Sequence, residues 1–67
     1  MITVIGIVAG EIWHYLDNHN NTVTLDDLLK NLERERDVIL MSIGWLAREG
    51  HVFLEGDNSG YKLTLRA

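Results

Sequence analysis

Residues 50–66 read GHVFLEGDNSGYKLTLR, and this stretch decides the fold. Val52 and Leu54 alternate with His51, Phe53 and Glu55, while Tyr61, Leu63 and Leu65 alternate with Lys62, Thr64 and Arg66. Successive side chains of a strand point to opposite faces, so a period of two predicts two strands here. Gly56-Asp57-Asn58-Ser59-Gly60 lies between them and is rich in turn-forming residues. The expectation is a β-hairpin with a five-residue loop.

Upstream of Gly50 the period is helical. Ile39, Ile43 and Leu46 make one apolar line flanked by Val38 and Ser42, with Arg48 in the last turn and Gly50 as the C-cap. The start of this helix has no obvious cap and is placed loosely near Arg34 to Arg36. About three residues earlier ends a shorter helix carrying Leu25, Leu28, Leu29 and Leu32 at i, i+3, i+4, i+7 spacing. Thr24 is its expected N-cap, Asp27 completes a capping box, and Val23 and Leu28 are spaced as a hydrophobic staple. Asp26 and Asp27 suit the positive end of the helix dipole. A first helix runs from about Val4 to Asn18 on the stripe Ile5, Val8, Ala9, Ile12 and Leu16, with Trp13 at its edge. Asn18-His19-Asn20-Asn21 ends it, and Thr22-Val23-Thr24 is a short β-prone piece. Val23 can join the hairpin as a third strand, which makes a sheet viable where two strands alone are marginal.

The order is therefore helix, short strand, helix, tight turn, helix, hairpin. That is an α+β fold, mainly α with a small β-sheet: a winged helix-turn-helix of three helices plus a C-terminal β-hairpin wing, in a single domain over residues 1–67. The expected core is Ile5, Val8, Ile12, Leu16, Leu28, Leu29, Leu32, Ile39, Ile43, Leu46, Val52, Leu54, Leu63 and Leu65.

Composition narrows the function. A 67-residue chain buries only about 60% of its unfolded surface, so self-association is a ready source of stability. There is no cysteine, which removes disulfides and thiolate metal sites and fits residence in the cytoplasm. The apolar stretch Ile2 to Ala9 is too short to span a bilayer and lacks signal-peptide flanks, so no membrane association is expected. The sequon Asn20-Asn21-Thr22 is read as chance. His14, His19 and His51 are scattered; His14 and Asp17 stand i, i+3, but spacing offers no third ligand. Ser42 and Ser59 lack a His–Asp arrangement, and the Gly56–Gly60 segment is an acidic turn rather than a phosphate loop. No catalytic, cofactor-binding or metal residues are assigned, and no enzyme is expected.

The stretch Ile43-Gly44-Trp45-Leu46-Ala47-Arg48-Glu49-Gly50 resembles the Leu-Gly-Trp-Leu-Ala-Arg-Glu-Gly signature of a small prokaryotic winged helix-turn-helix family of uncharacterised function. Ala9-Gly10-Glu11-Ile12-Trp13 is similar to the same family's Ala-Gly-x-(Val/Ile)-Trp segment. The resemblance implies the fold and carries over no ligand or site residue. By analogy the fold often serves transcription factors, but fold alone does not fix function.

Two functions are weighed. For DNA binding, Lys30, Arg34 and Arg36 cluster around the helix-turn-helix turn, and Lys62 and Arg66 lie on the polar face of the wing. Such side chains would make phosphate contacts. Against it stand a net charge of −4, from six Lys and Arg against ten Asp and Glu, and the acidic neighbours Glu33, Glu35 and Asp37. The outward arc of the third helix carries Asp37, Met41, Gly44 and Arg48, with Leu40 and Trp45 at its shoulders, where a base reader needs polar groups. Leu40, Met41 and Trp45 suit a protein partner, unless Leu40 and Trp45 simply pack against the wing and first helix. Val4 and Ile7 project outside the first helix's stripe beside Gly6 and Gly10, which points to a homodimer through that helix. The preferred expectation is a protein-interaction or dimerisation module in regulation; the alternative is a small DNA-binding transcriptional regulator.

Overall fold

A computed structural model describes residues 1–66; Ala67, the last residue of the expected domain, lies outside them. Helix α1 spans Ile2–Asp17, strand β1 Thr22–Thr24, α2 Leu25–Asn31, α3 Arg36–Arg48, β2 Val52–Asp57 and β3 Gly60–Leu65. The sheet order is β1-β3-β2. Both pairings are antiparallel, with Val23 opposite Leu63 and Leu54 opposite Leu63 from the other side. This is the winged helix arrangement read from the sequence, with the third strand where Val23 places it.

Local chemistry sets the boundaries. Helix α1 starts at Ile2, earlier than the expected Val4, because the N–H of Ile5 already donates to Met1 O at 3.0 Å. It ends in a turn where Asn20 and Asn21 adopt φ of 61° and 67°, a left-handed region that asparagine tolerates. Asn21 N–H donates back to Leu16 O at 2.8 Å, and Asn21 O accepts from Leu65 N–H at 2.7 Å, so the turn is stitched to the end of β3. Helix α2 opens on the expected N-cap, Thr24 Oγ1 accepting from Asp27 N–H at 3.1 Å, but among the described residues the Asp27 carboxylate makes no return bond, so only half of the expected capping box forms. Helix α3 starts at Arg36 without a side-chain cap. Its end is a Schellman turn, in which Gly50 N–H donates to Ala47 O at 3.1 Å and His51 N–H to Leu46 O at 2.9 Å. The capping residue is thus Glu49, and Gly50 stands one place beyond it with φ of 77°.

The hairpin is tighter than its composition suggests. Asp57 pairs with Gly60, leaving only Asn58 and Ser59 in the loop instead of five residues. The reason is a side chain: the Asp57 carboxylate accepts from Ser59 N–H at 2.8 Å and from Ser59 Oγ at 2.6 Å, closing the turn locally. One residue earlier, Gly56 faces Tyr61 across the strands, and a Cβ on Gly56 would sit 2.5 Å from the ring. Glycine is therefore needed where the aromatic ring lies over the strand.

The core holds Val8, Ala9, Ile12 and Leu16 of α1, Val23, Leu28, Ile39, Ile43, Leu46, Val52 and Leu63. Leu29, Leu32 and Leu65 pack against it but are only partly buried, as is Ile5. Leu54 departs from the expected core and is 49% exposed. Its register with buried Leu63 puts it on the inner face of the sheet, but β2 is an edge strand and only its first residue, Val52, is covered. Ser42 is buried completely, and its hydroxyl proton is shared between Val38 O at 2.8 Å and Ile5 O at 3.3 Å, which ties α3 to α1.

Candidate functional site

Helix α3 buries Ile39, Ser42, Ile43 and Leu46, which turns Asp37, Leu40, Met41, Gly44, Trp45 and Arg48 to solvent. Leu40, Met41 and Trp45 remain between 37% and 46% exposed. Trp45 stacks on His51 at the start of the wing, with centroids 6.2 Å apart and planes 29° from parallel. This contact fixes the indole but does not cover it. The helix thus shows an apolar face where hydrogen-bonding side chains are needed to read base edges.

Beside this face, Leu25, Leu40, Ile43, Gly44, Leu54 and Tyr61 enclose a groove of about 180 Å³ between α2, α3 and the wing. The walls Leu25 and Tyr61 are shared with a larger hollow of about 490 Å³ at the wing tip. Asp26, Glu55 and Asp57 line that hollow against a single cation, Lys62. The hydrogen bonds from Ser59, hydroxyl first and backbone N–H second, hold the Asp57 carboxyl below its ordinary range. Asp57 is therefore a carboxylate at neutral pH, and the hollow is negative.

The five expected phosphate contacts are spread over different elements. Arg34, in the α2–α3 turn, is held by Glu11 of α1: Nε donates to Oε1 at 3.0 Å and Nη2 to Oε2 at 2.5 Å. This two-pronged bond lowers the Glu11 pKa and raises that of Arg34. The acidic neighbours in sequence are not its partners, and Glu11 lies 23 residues away, so spacing gave no sign of the pair. Arg66 sits 5.9 Å from the ring centre of Phe53 on the outer side of the hairpin. Lys62 is opposite Glu55 in the register. Lys30 lies in the last turn of α2 and Arg36 opens α3, and both are exposed. Among the described residues Arg34–Glu11 is the one ion pair.

On α1, Ile2 is 87% and Ile7 54% exposed, with Val4 less so. A Cβ added at Gly6 or Gly10 would meet nothing within 4 Å. From Met1 to Trp13 the only charged side chain is Glu11, already engaged by Arg34. Among the described residues no group of three or more His, Asp or Glu converges as a metal site would require. No described helix is long and apolar enough to cross a membrane.

A family model described as Winged helix-turn-helix domain (DUF2582) matches residues 1–65. An uncharacterized protein of Methanocaldococcus jannaschii is 30% identical over 63 residues, a stretch covering 92% of this chain and 90% of that protein. No solved structure matches.

Proposed function

We propose, for a chain that belongs to the winged helix-turn-helix domain family DUF2582, a non-catalytic role as a protein-interaction and dimerisation module in cytoplasmic regulation. The observation that carries this reading is the outward side of α3, where Leu40, Met41 and Trp45 stand exposed beside an apolar groove. Exposed apolar patches of this kind mark docking sites, and aromatic and methionine side chains are the usual anchors. Charge supports it. The chain is acidic overall, and the wing-tip hollow carries three carboxylates against one lysine, which opposes an approaching phosphate backbone. Helix α1 supplies the second surface, where Val4 and Ile7 would meet a second copy without like-charge repulsion, since Glu11 is neutralised. Winged helix domains are typically non-catalytic, in keeping with this role.

The alternative, a DNA-binding transcriptional regulator, rests on the fold and on Lys30 and Arg36, which are exposed without a partner among the described residues. Titration of purified protein against random duplex DNA at low and moderate salt, with the sedimentation coefficient recorded in the same samples, separates the two. The protein-docking reading expects no DNA binding even at low salt. Micromolar binding that falls steeply with salt, with a slope reduced by about one unit each in Arg36→Ala and Lys62→Ala, would establish the DNA reading instead.

A further inference from the structure

The groove and the hollow meet at two shared residues, Leu25 and Tyr61. Leu54 belongs by register to the inner, core-facing side of the sheet, yet among the described residues it stays 49% exposed. Leu25, Leu40 and Ile43 complete an apolar lining on the helical side, and Gly44 leaves its floor open, since a Cβ there would meet nothing within 4 Å. Glycine at an exposed helix position lowers stability relative to alanine, and no neighbour among the described residues accounts for this one. The Tyr61 ring, packed across Gly56, forms the wall between the apolar groove and the acidic hollow. The groove's volume of about 180 Å³ falls below the roughly 300–1,000 Å³ of small-molecule pockets, and suits a single large side chain.

We propose that this groove seats one large apolar side chain of a basic peptide segment, whose adjacent Lys or Arg meets Asp26, Glu55 and Asp57 across the Tyr61 wall. The proposal rests on the protein-docking reading of the α3–wing face and names the chemistry of its partner. The apolar anchor supplies affinity by leaving water, as Leu54 and Leu40 do on the other side. The carboxylates supply selectivity, because Lys62 offsets only one of the three and a basic segment restores the balance. An acidic segment meets repulsion at the same place, and so does a nucleic-acid backbone.

The test uses the full chain and short fluorescein-labelled peptides read by anisotropy. One set has a central Phe flanked by Lys and Arg, a second replaces the Phe with Ala, and a third replaces the cations with Glu. The basic Phe peptide is expected to bind about tenfold or more tightly than its Ala counterpart, with affinity falling as salt rises. Gly44→Leu puts a side chain into the groove floor from a Cβ that meets nothing within 4 Å, so it should remove that tenfold advantage, with the unfolding transition followed alongside to show that the fold is kept. The doubly substituted Asp26→Asn, Glu55→Gln chain should bind the basic peptide more weakly and lose most of the salt dependence. Equal binding of the basic and acidic Phe peptides, both lost in Gly44→Leu, would overturn the basic partner but leave the docking face standing. Peptide binding indifferent to Gly44→Leu would overturn the groove as the seat. Absence of any peptide binding at about millimolar concentration would overturn the proposal. Should duplex DNA then bind and be lost in Gly44→Leu, the protein-docking reading falls with it.

Discussion

Replacing Gly10 with alanine gives opposite signs for an isolated chain and for one paired through α1. Gly10 sits inside the helix Ile2–Asp17, and a Cβ there would touch nothing within 4 Å. In the monomer, Gly10→Ala therefore gains only helix propensity, about 0.8–1.0 kcal/mol. For a domain of this size that raises Tm by about 4–8 °C. In a dimer whose helices approach across Gly6 and Gly10, the added methyl meets the partner's backbone. Overpacking of that kind costs about 1–3 kcal/mol, which outweighs the propensity gain. The proposed association thus predicts a reversal with concentration. In the dimer range Gly10→Ala should melt below the native chain and sediment more slowly; far below the dissociation constant it should melt several degrees above it. Thermal unfolding followed by circular dichroism over a wide concentration range, with sedimentation velocity alongside, reads both signs. A Tm raised at every concentration, with unchanged sedimentation, would refute close approach at Gly10 and with it the α1 dimer.

Three further experiments test the frame that holds these surfaces. Leu46 is 3% exposed in the last turn of α3, so Leu46→Ala should cost about 2–5 kcal/mol in a urea titration, enough to unfold much of a marginal domain. Gly56→Ala brings a methyl to within 2.5 Å of the Tyr61 ring and should destabilise by about 1–3 kcal/mol; adding Tyr61→Ala should recover most of that loss in a double-mutant cycle. The Arg34 bond depresses the Glu11 pKa in the folded state below its ordinary 4.5, so the pair's contribution is complete above that value and fades as pH falls through the folded pKa. Both partners are at the surface, so the effect is small, and Glu11→Gln should flatten this part of the acid limb in urea titrations repeated from about pH 3 to 6.

The fold was legible because its signals are local. The period change at Gly50, the Thr24 cap and the leucine spacing each act within a few residues, and the structure keeps all of them. What spacing misled on, or missed, depends on neighbours distant in the chain or on a single side-chain bond. Leu54 has the alternation of a core residue, but whether an edge strand is covered depends on how far α2 and α3 reach over it, which no strand pattern encodes. The turn at Asn58-Ser59 has the composition of a longer loop, and the Asp57–Ser59 bonds shorten it. Ser42 reads as a flank of the α3 stripe; its role in joining α3 to the carbonyl of Ile5 requires knowing that α1 lies against it. Arg34 reads as a phosphate contact beside Arg36 until Glu11 is brought to it from α1.

The helical glycines connect the two proposed surfaces more firmly than exposure alone. Gly6, Gly10 and Gly44 lie within helices, have ordinary helical backbone angles, and none has a neighbour that a Cβ would strike. Each lowers stability by about 1 kcal/mol relative to alanine, so together they cost about 3 kcal/mol in a chain whose total is expected to be near 5–15 kcal/mol. Gly50 and Gly56 are different, being required by a left-handed backbone and by the Tyr61 ring. A short chain with a small core has reason to shed three unneeded losses, and none of the three is explained by folding. All three lie on the apolar surfaces assigned here to partners, Gly6 and Gly10 beside Ile7 on α1 and Gly44 in the floor of the α3–wing groove. Open backbone among exposed apolar side chains is what close contact with another chain uses. Under the proposed docking and dimerisation, contact with a partner would return the stability that these glycines give up in the free chain.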